Sequence, residues 1–247
     1  MAVSGAKPAG ALDETSAATA VRQMFNSIAP RYDLLNHLLS ANIDRLWWWR
    51  TARRFRTILA DPNAAVLDIC CGTGDMTMAL LKHRPTGARP ILAGDFARAM
   101  LARGARKFGG RGAIAIEADA MHLPLRDSSL DLIVTAFGFR NLANYEAGLC
   151  EFNRVLKPGG QLGILDFSEP GGLVGKAYAV YFRRVLPAIG RVICGKDGPY
   201  NYLPASVGNF PAPAQMLDMM RVCGYSECGW QPYTFGIAGL YTGKRTR

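Results

Sequence analysis

The chain is poor in the residues that hold metals and has no run that could cross a membrane, and each shortage narrows its reading. It carries only three histidines, His37, His83 and His122, too scattered to share one ligand sphere. Its six cysteines, Cys70, Cys71, Cys150, Cys194, Cys223 and Cys228, show no Cys-x-x-Cys spacing and no neighbouring histidine. Reduced, mostly buried thiols are expected, and no metal. No stretch is apolar for long enough to span a bilayer. Internal repeats and low-complexity segments are absent. The first twenty residues lack an apolar segment, which predicts a loose cytoplasmic tail over 1–20 and no signal peptide. Acids are the minority, 19 against 29 basic residues, for a net charge of +10 at pH 7. That excess alone does not choose between nucleic acid, an anionic membrane and ordinary solvated helix faces.

What is present is an apolar run, Val66-Leu67-Asp68-Ile69-Cys70, that stops at Cys71-Gly72-Thr73-Gly74-Asp75, where a strand would hand over to a helix. Gly72 and Gly74 can take backbone angles closed to other residues and let a ligand lie against the main chain. A dinucleotide loop would read Gly-x-Gly-x-x-Gly, but Thr77 stands at the third glycine and Asp75 would face an incoming pyrophosphate. A cofactor with a ribose, a base and a cationic centre fits better. Asp68 and Asp75 would suit the ammonium and sulfonium of S-adenosylmethionine. Asp95 ends the next apolar run about twenty residues past the turn, where a carboxylate can accept both ribose hydroxyls. Asp119 ends the third run, placed to accept from an adenine amino group, with Ala120 and Met121 packing on the ring. Aspartates often end strands as turn residues, but three acid-tipped strands beside one crevice point to a ligand site.

The pattern predicts an α/β fold with strands near 66–70, 90–95, 113–118, 130–136 and 161–167 and helices near 75–84, 97–108 and 145–156. Lys157-Pro158-Gly159-Gly160 closes the last helix. A helix near 213–223 and two strands near 225–242 finish the sheet as an antiparallel hairpin. With 49% hydrophobic residues the chain can bury one core, so 21–247 reads as a single domain, with an N-terminal helical lid over 21–60 and a cap inserted at 171–212. Two segments place aromatics beside arginines, Trp47-Trp48-Trp49-Arg50 and Tyr178-Ala179-Val180-Tyr181-Phe182-Arg183-Arg184, a pairing suited to a lipid headgroup boundary.

Several further segments carry a family resemblance: Met24 to Asn36 with its Arg31-Tyr32-Asp33, Phe137-Gly138-Phe139-Arg140-Asn141-Leu142, Arg154 to Gly160, Leu165-Asp166-Phe167-Ser168-Glu169-Pro170, and Tyr200-Asn201-Tyr202-Leu203-Pro204-Ala205-Ser206 with Phe210-Pro211. From Val21 to about Thr242 the chain resembles the class I S-adenosylmethionine-dependent methyltransferases, and within them the ubiquinone/menaquinone biosynthesis C-methyltransferases. The resemblance implies a Rossmann-like, seven-stranded, mostly parallel sheet and methyl transfer to a ring carbon of a polyprenylated quinol. Thr73, Asp95, Asp119 and Ala120 match the family's cofactor positions. Ala136 stands where the family commonly has serine, so the resemblance implies that one side-chain contact there is lost or replaced by backbone.

A quinol carbon attacks a methyl group only when a neighbouring hydroxyl gives up its proton, and phenols ionise near pH ~10. Arg140 at the fourth strand tip would stabilise the developing phenolate, although a guanidinium stays protonated and is no base. Asn141 would hold a water or the second quinol oxygen. Tyr32 and Asp33 on the lid would finish a proton path, and Asp166 is a spare carboxylate. In the structural alternative Arg140 pairs with Asp166, and Tyr32 packs as a lid aromatic. The expected acceptor is demethylmenaquinol, with 2-methoxy-6-polyprenyl-benzoquinol as the alternative. Other readings are a nucleic-acid methyltransferase and a non-enzymatic binding protein. Expected partners are the quinol and, peripherally, the inner face of the cell membrane; nucleic acid is not expected, and a homo-oligomer stays open.

Overall fold

The computed structural model describes residues 5, 6, 8, 10–29, 40, 42–168, 170, 175 and 206–246. Its centre is β1 (Val66–Ile69), buried at all four positions. β2 (Ile91–Asp95) and β4 (Leu130–Ala136) flank it in parallel. Unbroken Val/Ile/Leu runs suit strands covered on both faces. β3 (Ala113–Glu117) extends the sheet beyond β2 and β5 (Leu156–Phe167) beyond β4, again in parallel. The chain ends in an antiparallel hairpin, β6 (Tyr225–Tyr233) and β7 (Ala238–Arg245), with β7 pairing antiparallel to β5. The seven strands run β3-β2-β1-β4-β5-β7-β6, the mostly parallel α/β sheet expected. The order reverses between β1 and β4, and ligands of such sheets bind outside the strands' carboxyl ends at this reversal.

The helices described in full are α1 (Glu14–Ile28), α2 (Ile43–Arg54), α3 (Arg56–Ala60), α4 (Asp75–Leu81), α5 (Arg98–Phe108), α6 (Tyr145–Val155) and α7 (Pro213–Val222). Alternation along the strands feeds two cores. Leu67, Ile69 and Ile133 face Leu149 and Phe152 of α6 and Met216 of α7. Val66, Leu132 and Val134 face Trp47 and Phe55.

Two expectations change. The stretch 1–20 is not a loose tail throughout. Asp13 caps α1 by accepting from the Ser16 backbone N–H at 2.7 Å, with the Ser16 hydroxyl accepting in return from the Asp13 N–H. Upstream, buried Ala6 donates its N–H to the Leu142 carbonyl at 2.8 Å. Lys157–Gly160 is not a turn before the fifth strand but lies within it. α6 passes straight into β5 at Leu156, which pairs with Leu130, and the register shifts before Gln161 pairs with Leu132. Gly159 absorbs the irregularity with φ +80°. The inserted cap lies almost wholly outside the described residues, but Phe210 at its end is packed against Phe139, Tyr145 and Tyr241.

Candidate active site

A crevice opens at the carboxyl ends of β1 to β4, where ligands of such sheets bind. Its floor is small, with Cys70, Gly72, Ala118, Ala120 and Ala136, and its walls are apolar, with Phe96, Met100, Met121 and Phe137. Asp95, Asp119 and Asn141 bring the polar groups. α1 closes one side with Ala18 and Phe25. It is strapped at both ends: Asn144 donates to the Glu14 carboxylate at 3.0 Å, and the Asn26 side chain accepts from Ala99 N at 3.0 Å in the first turn of α5. Arg22 lies over the Phe96 ring, 5.3 Å from its centroid.

The two turn glycines have different work. Gly72 has φ +55°, and an added Cβ would meet only Met100 Cε at 3.8 Å, so its conformation, not crowding, calls for glycine on the crevice floor. At Gly74, φ is +86° and a Cβ would lie 2.6 Å from the Phe108 ring, so this residue lets α5 pack onto the turn. Asp75 leads away from the crevice, ion-paired with Lys107 at 2.7 Å.

The acids are electrostatically unequal. Burial pushes the Asp95 carboxyl up to about 6, although backbone N–H groups of Ala97 and Gly72 donate to it at 2.8 Å each and pull the other way. The Phe96 backbone N–H also favours the charged form, and the carboxylate's remaining lone pairs face a ligand's hydroxyls. Asp68 is fully buried beneath the turn and is not part of the crevice lining. It accepts the Thr77 hydroxyl at 2.5 Å, and Oδ1 has no hydrogen-bond partner among the described residues. Burial, with the charges of Asp95 and Asp75 adding to it and Thr77 opposing, lifts Asp68 to about 7. Asp119 sits at the rim, accepting from Met121 N at 2.9 Å.

Of the expected cofactor residues, Gly72, Asp95, Asp119, Ala120 and Ala136 line the crevice, while Asp68, Thr73 and Gly74 stand behind its floor. Of the expected catalytic residues, Asn141 lines it. Tyr32 and Asp33 lie outside the described residues. Arg140 and Asp166 are found in the alternative arrangement, paired with each other. Arg140 Nη1 donates to Asp166 Oδ1 at 2.9 Å and to the Phe137 carbonyl, and its backbone N–H donates to Asp166 Oδ2 at 3.0 Å. Asp166 is 0% exposed and also accepts from Phe167 N. Both Asp166 oxygens thus accept protein donors. The pair ties the turn after β4 to the tip of β5, and Tyr145 reinforces it through its hydroxyl to the Arg140 carbonyl at 3.0 Å. Asn141 then faces the crevice, with Oδ1 buried and unpartnered among the described residues.

The sequence reading missed Ala18, Cys70, Phe96 and Met100 as lining residues. An aromatic directly after the acid of β2 was the available signal for Phe96. The small and apolar positions gave none, because a wall residue looks like a core residue in sequence. Among the described residues no cluster of three or more His, Cys, Asp or Glu side chains is arranged to hold a metal.

The strand order, the glycine turn and the acids at the tips of β2 and β3 define an S-adenosylmethionine-dependent methyltransferase of class I. A solved SAM-dependent methyltransferase of Thermotoga maritima shares this fold, with a TM-score of 0.63 at 19% identity over 92% of this chain and all of that one. The ubiE/COQ5 methyltransferase family model matches residues 13–245, and the chain belongs to that family. It is 46% identical over 227 residues to the demethylmenaquinone methyltransferase of Thermus thermophilus, covering 90% of this chain and 100% of the relative. It is 39% identical over 230 residues to the ubiquinone/menaquinone biosynthesis C-methyltransferase UbiE of Geobacter sulfurreducens, covering 91% and 88%.

Proposed function

We propose that the chain methylates a ring carbon of a polyprenylated quinol, converting demethylmenaquinol to menaquinol. Its identity with a demethylmenaquinone methyltransferase along that relative's whole length carries the reading. C-methylation of 2-methoxy-6-polyprenyl-benzoquinol is a second reading, favoured by the relative whose name includes both quinones. The basic charge was the only support for a nucleic-acid substrate.

The crevice fits S-adenosylmethionine. Asp95 would accept the ribose hydroxyls, Asp119 would take the adenine amino group at the rim, and Phe96, Met100 and Met121 would cover the base. Bound there, the sulfonium supplies an electrophilic methyl group. Asn141, as a polar lining residue, would hydrogen-bond the acceptor's hydroxyl and fix which ring carbon points inward. Arg140 would act chiefly by holding the 137–142 turn through its pair with Asp166. Tyr32 and Asp33 remain the proposed outlet for the proton. α1 would exclude water from the far side.

A quinol with a polyprenyl tail resides in a bilayer, so we place the enzyme peripherally on the cytoplasmic membrane face. No described helix is long and apolar enough to cross a membrane. Of the two aromatic-basic segments, Tyr178–Arg184 lies outside the described residues. In the other, Trp47 belongs to the core while Trp49 is exposed beside Arg53. Quinone extraction from a deletion strain complemented with this chain tests the function. Restored menaquinone supports it, and demethylmenaquinone persisting beside an expressed, folded protein refutes it.

A further inference from the structure

Among the described residues the most exposed aromatic is Phe235, 82% exposed at the tip of the β6–β7 turn. The chain goes to some length to present it. Thr234 and Phe235 both adopt left-handed backbone angles, φ +44° and +58°, which non-glycine residues rarely take without other contacts enforcing them. Two side chains hold the turn. Trp47 of α2 donates from Nε1 to the Thr234 hydroxyl at 2.8 Å, and the Ser168 hydroxyl donates to the Gly236 carbonyl at 2.6 Å.

The same contacts join the turn to α2. Arg50, one helical turn after Trp47, lies 4.4 Å from the centroid of Tyr233. On the side of α2 that carries Arg50, Leu46 is 49% and Trp49 45% exposed. α2 contributes four arginines, Arg45, Arg50, Arg53 and Arg54, against a single acid, Asp44, which is buried. Apolar tips among arginines complement an anionic lipid surface, where rings enter the headgroup boundary and guanidinium groups stay with phosphate. The surface also backs onto the crevice, since the Trp47 ring lies 5.8 Å from Phe137, a crevice wall.

We infer that the β6–β7 turn and the Leu46–Trp49 side of α2 form one lipid-docking surface for anionic bilayers, with Phe235 as the inserting residue. The inference rests on the peripheral-membrane reading above and names the residues that would carry it.

Flotation with phosphatidylglycerol/phosphatidylcholine vesicles, and with phosphatidylcholine alone, tests it on the full chain. Phe235→Asn removes the ring while keeping a residue that tolerates the left-handed backbone, and should weaken binding to the anionic vesicles roughly tenfold. Phe235→Trp should restore binding, with its added fluorescence quenched by brominated lipid. S-adenosylmethionine affinity should stay unchanged in both variants. Wild-type binding that survives Phe235→Asn undiminished overturns the inference and leaves the membrane reading standing, whereas no wild-type binding to either vesicle overturns both. A drop in oligomeric state in Phe235→Asn with vesicle binding intact would assign the surface to a second copy of the chain and likewise overturn the inference.

Discussion

Asp95 accepts from the backbone N–H groups of Gly72 and Ala97, among others, and lines the crevice. Asp95→Ala removes the proposed ribose acceptor and should weaken S-adenosylmethionine by about 2–4 kcal/mol, two charge-assisted hydrogen bonds' worth, in a folded protein. Unchanged calorimetric affinity would remove Asp95 from the site. Because burial raises this carboxyl to about 6 and hydroxyl donors favour its ionised form, affinity should fall as pH drops through about 6. Asn141 and Arg140 should separate cleanly. Asn141→Ala, which strips a side-chain amide from the crevice lining, should lower kcat about tenfold to a hundredfold with little change in stability or cofactor affinity. Arg140→Ala leaves Asp166 buried without its ion-pair partner and should destabilise the fold by about 3–5 kcal/mol in denaturant titrations. Arg140→Lys should recover part of that loss. A stable Arg140→Ala variant with wild-type turnover would contradict the role given to the pair.

At the level of elements, the glycine turn and the docked helix α5 form one unit. Gly74→Ala should cost about 1–3 kcal/mol, because a Cβ there meets the Phe108 ring and φ is positive. Gly72→Ala carries only the conformational part, about 1 kcal/mol. A thermal-shift comparison in which Gly72→Ala is the more damaging would reverse these assignments. The parallel strands were legible because each contains an apolar run bounded by turn residues, and Asp95 and Asp119 were legible because acids end several neighbouring runs together, not because an acid at one strand end is unusual. The Arg140–Asp166 pair appeared in sequence only as one of two arrangements, since 26 residues separate its members and only the adjacency of β4 and β5 decides between pairing and a free guanidinium. Phe235 gave no signal at all. Exposure of a turn aromatic depends on what neighbours it in space, and Trp47 is 187 positions away from Thr234.

For the molecule as a whole, the buried carboxyls set a pH dependence. Asp68 and Asp95 have folded-state values near 7 and 6, above their ordinary 3.8, so the native state holds protons that the unfolded chain has released. Their contribution to stability is fully present below about pH 4 and is lost as pH rises through 6 and 7. Asp68→Asn, which keeps an acceptor for Thr77, should flatten that decline in the ligand-free protein, as followed by melting temperature. A decline of unchanged size in Asp68→Asn would place its origin elsewhere.

The central claim is that this crevice moves a methyl group from S-adenosylmethionine to a quinol ring carbon. Purified protein incubated with methyl-labelled S-adenosylmethionine and either demethylmenaquinol or 2-methoxy-6-polyprenyl-benzoquinol, with product analysed by mass spectrometry, tests it most directly. The account predicts label on the naphthoquinol ring, faster than on the benzoquinol, and a strong loss of label with Asn141→Ala. A folded, S-adenosylmethionine-binding protein that labels neither quinol would contradict it.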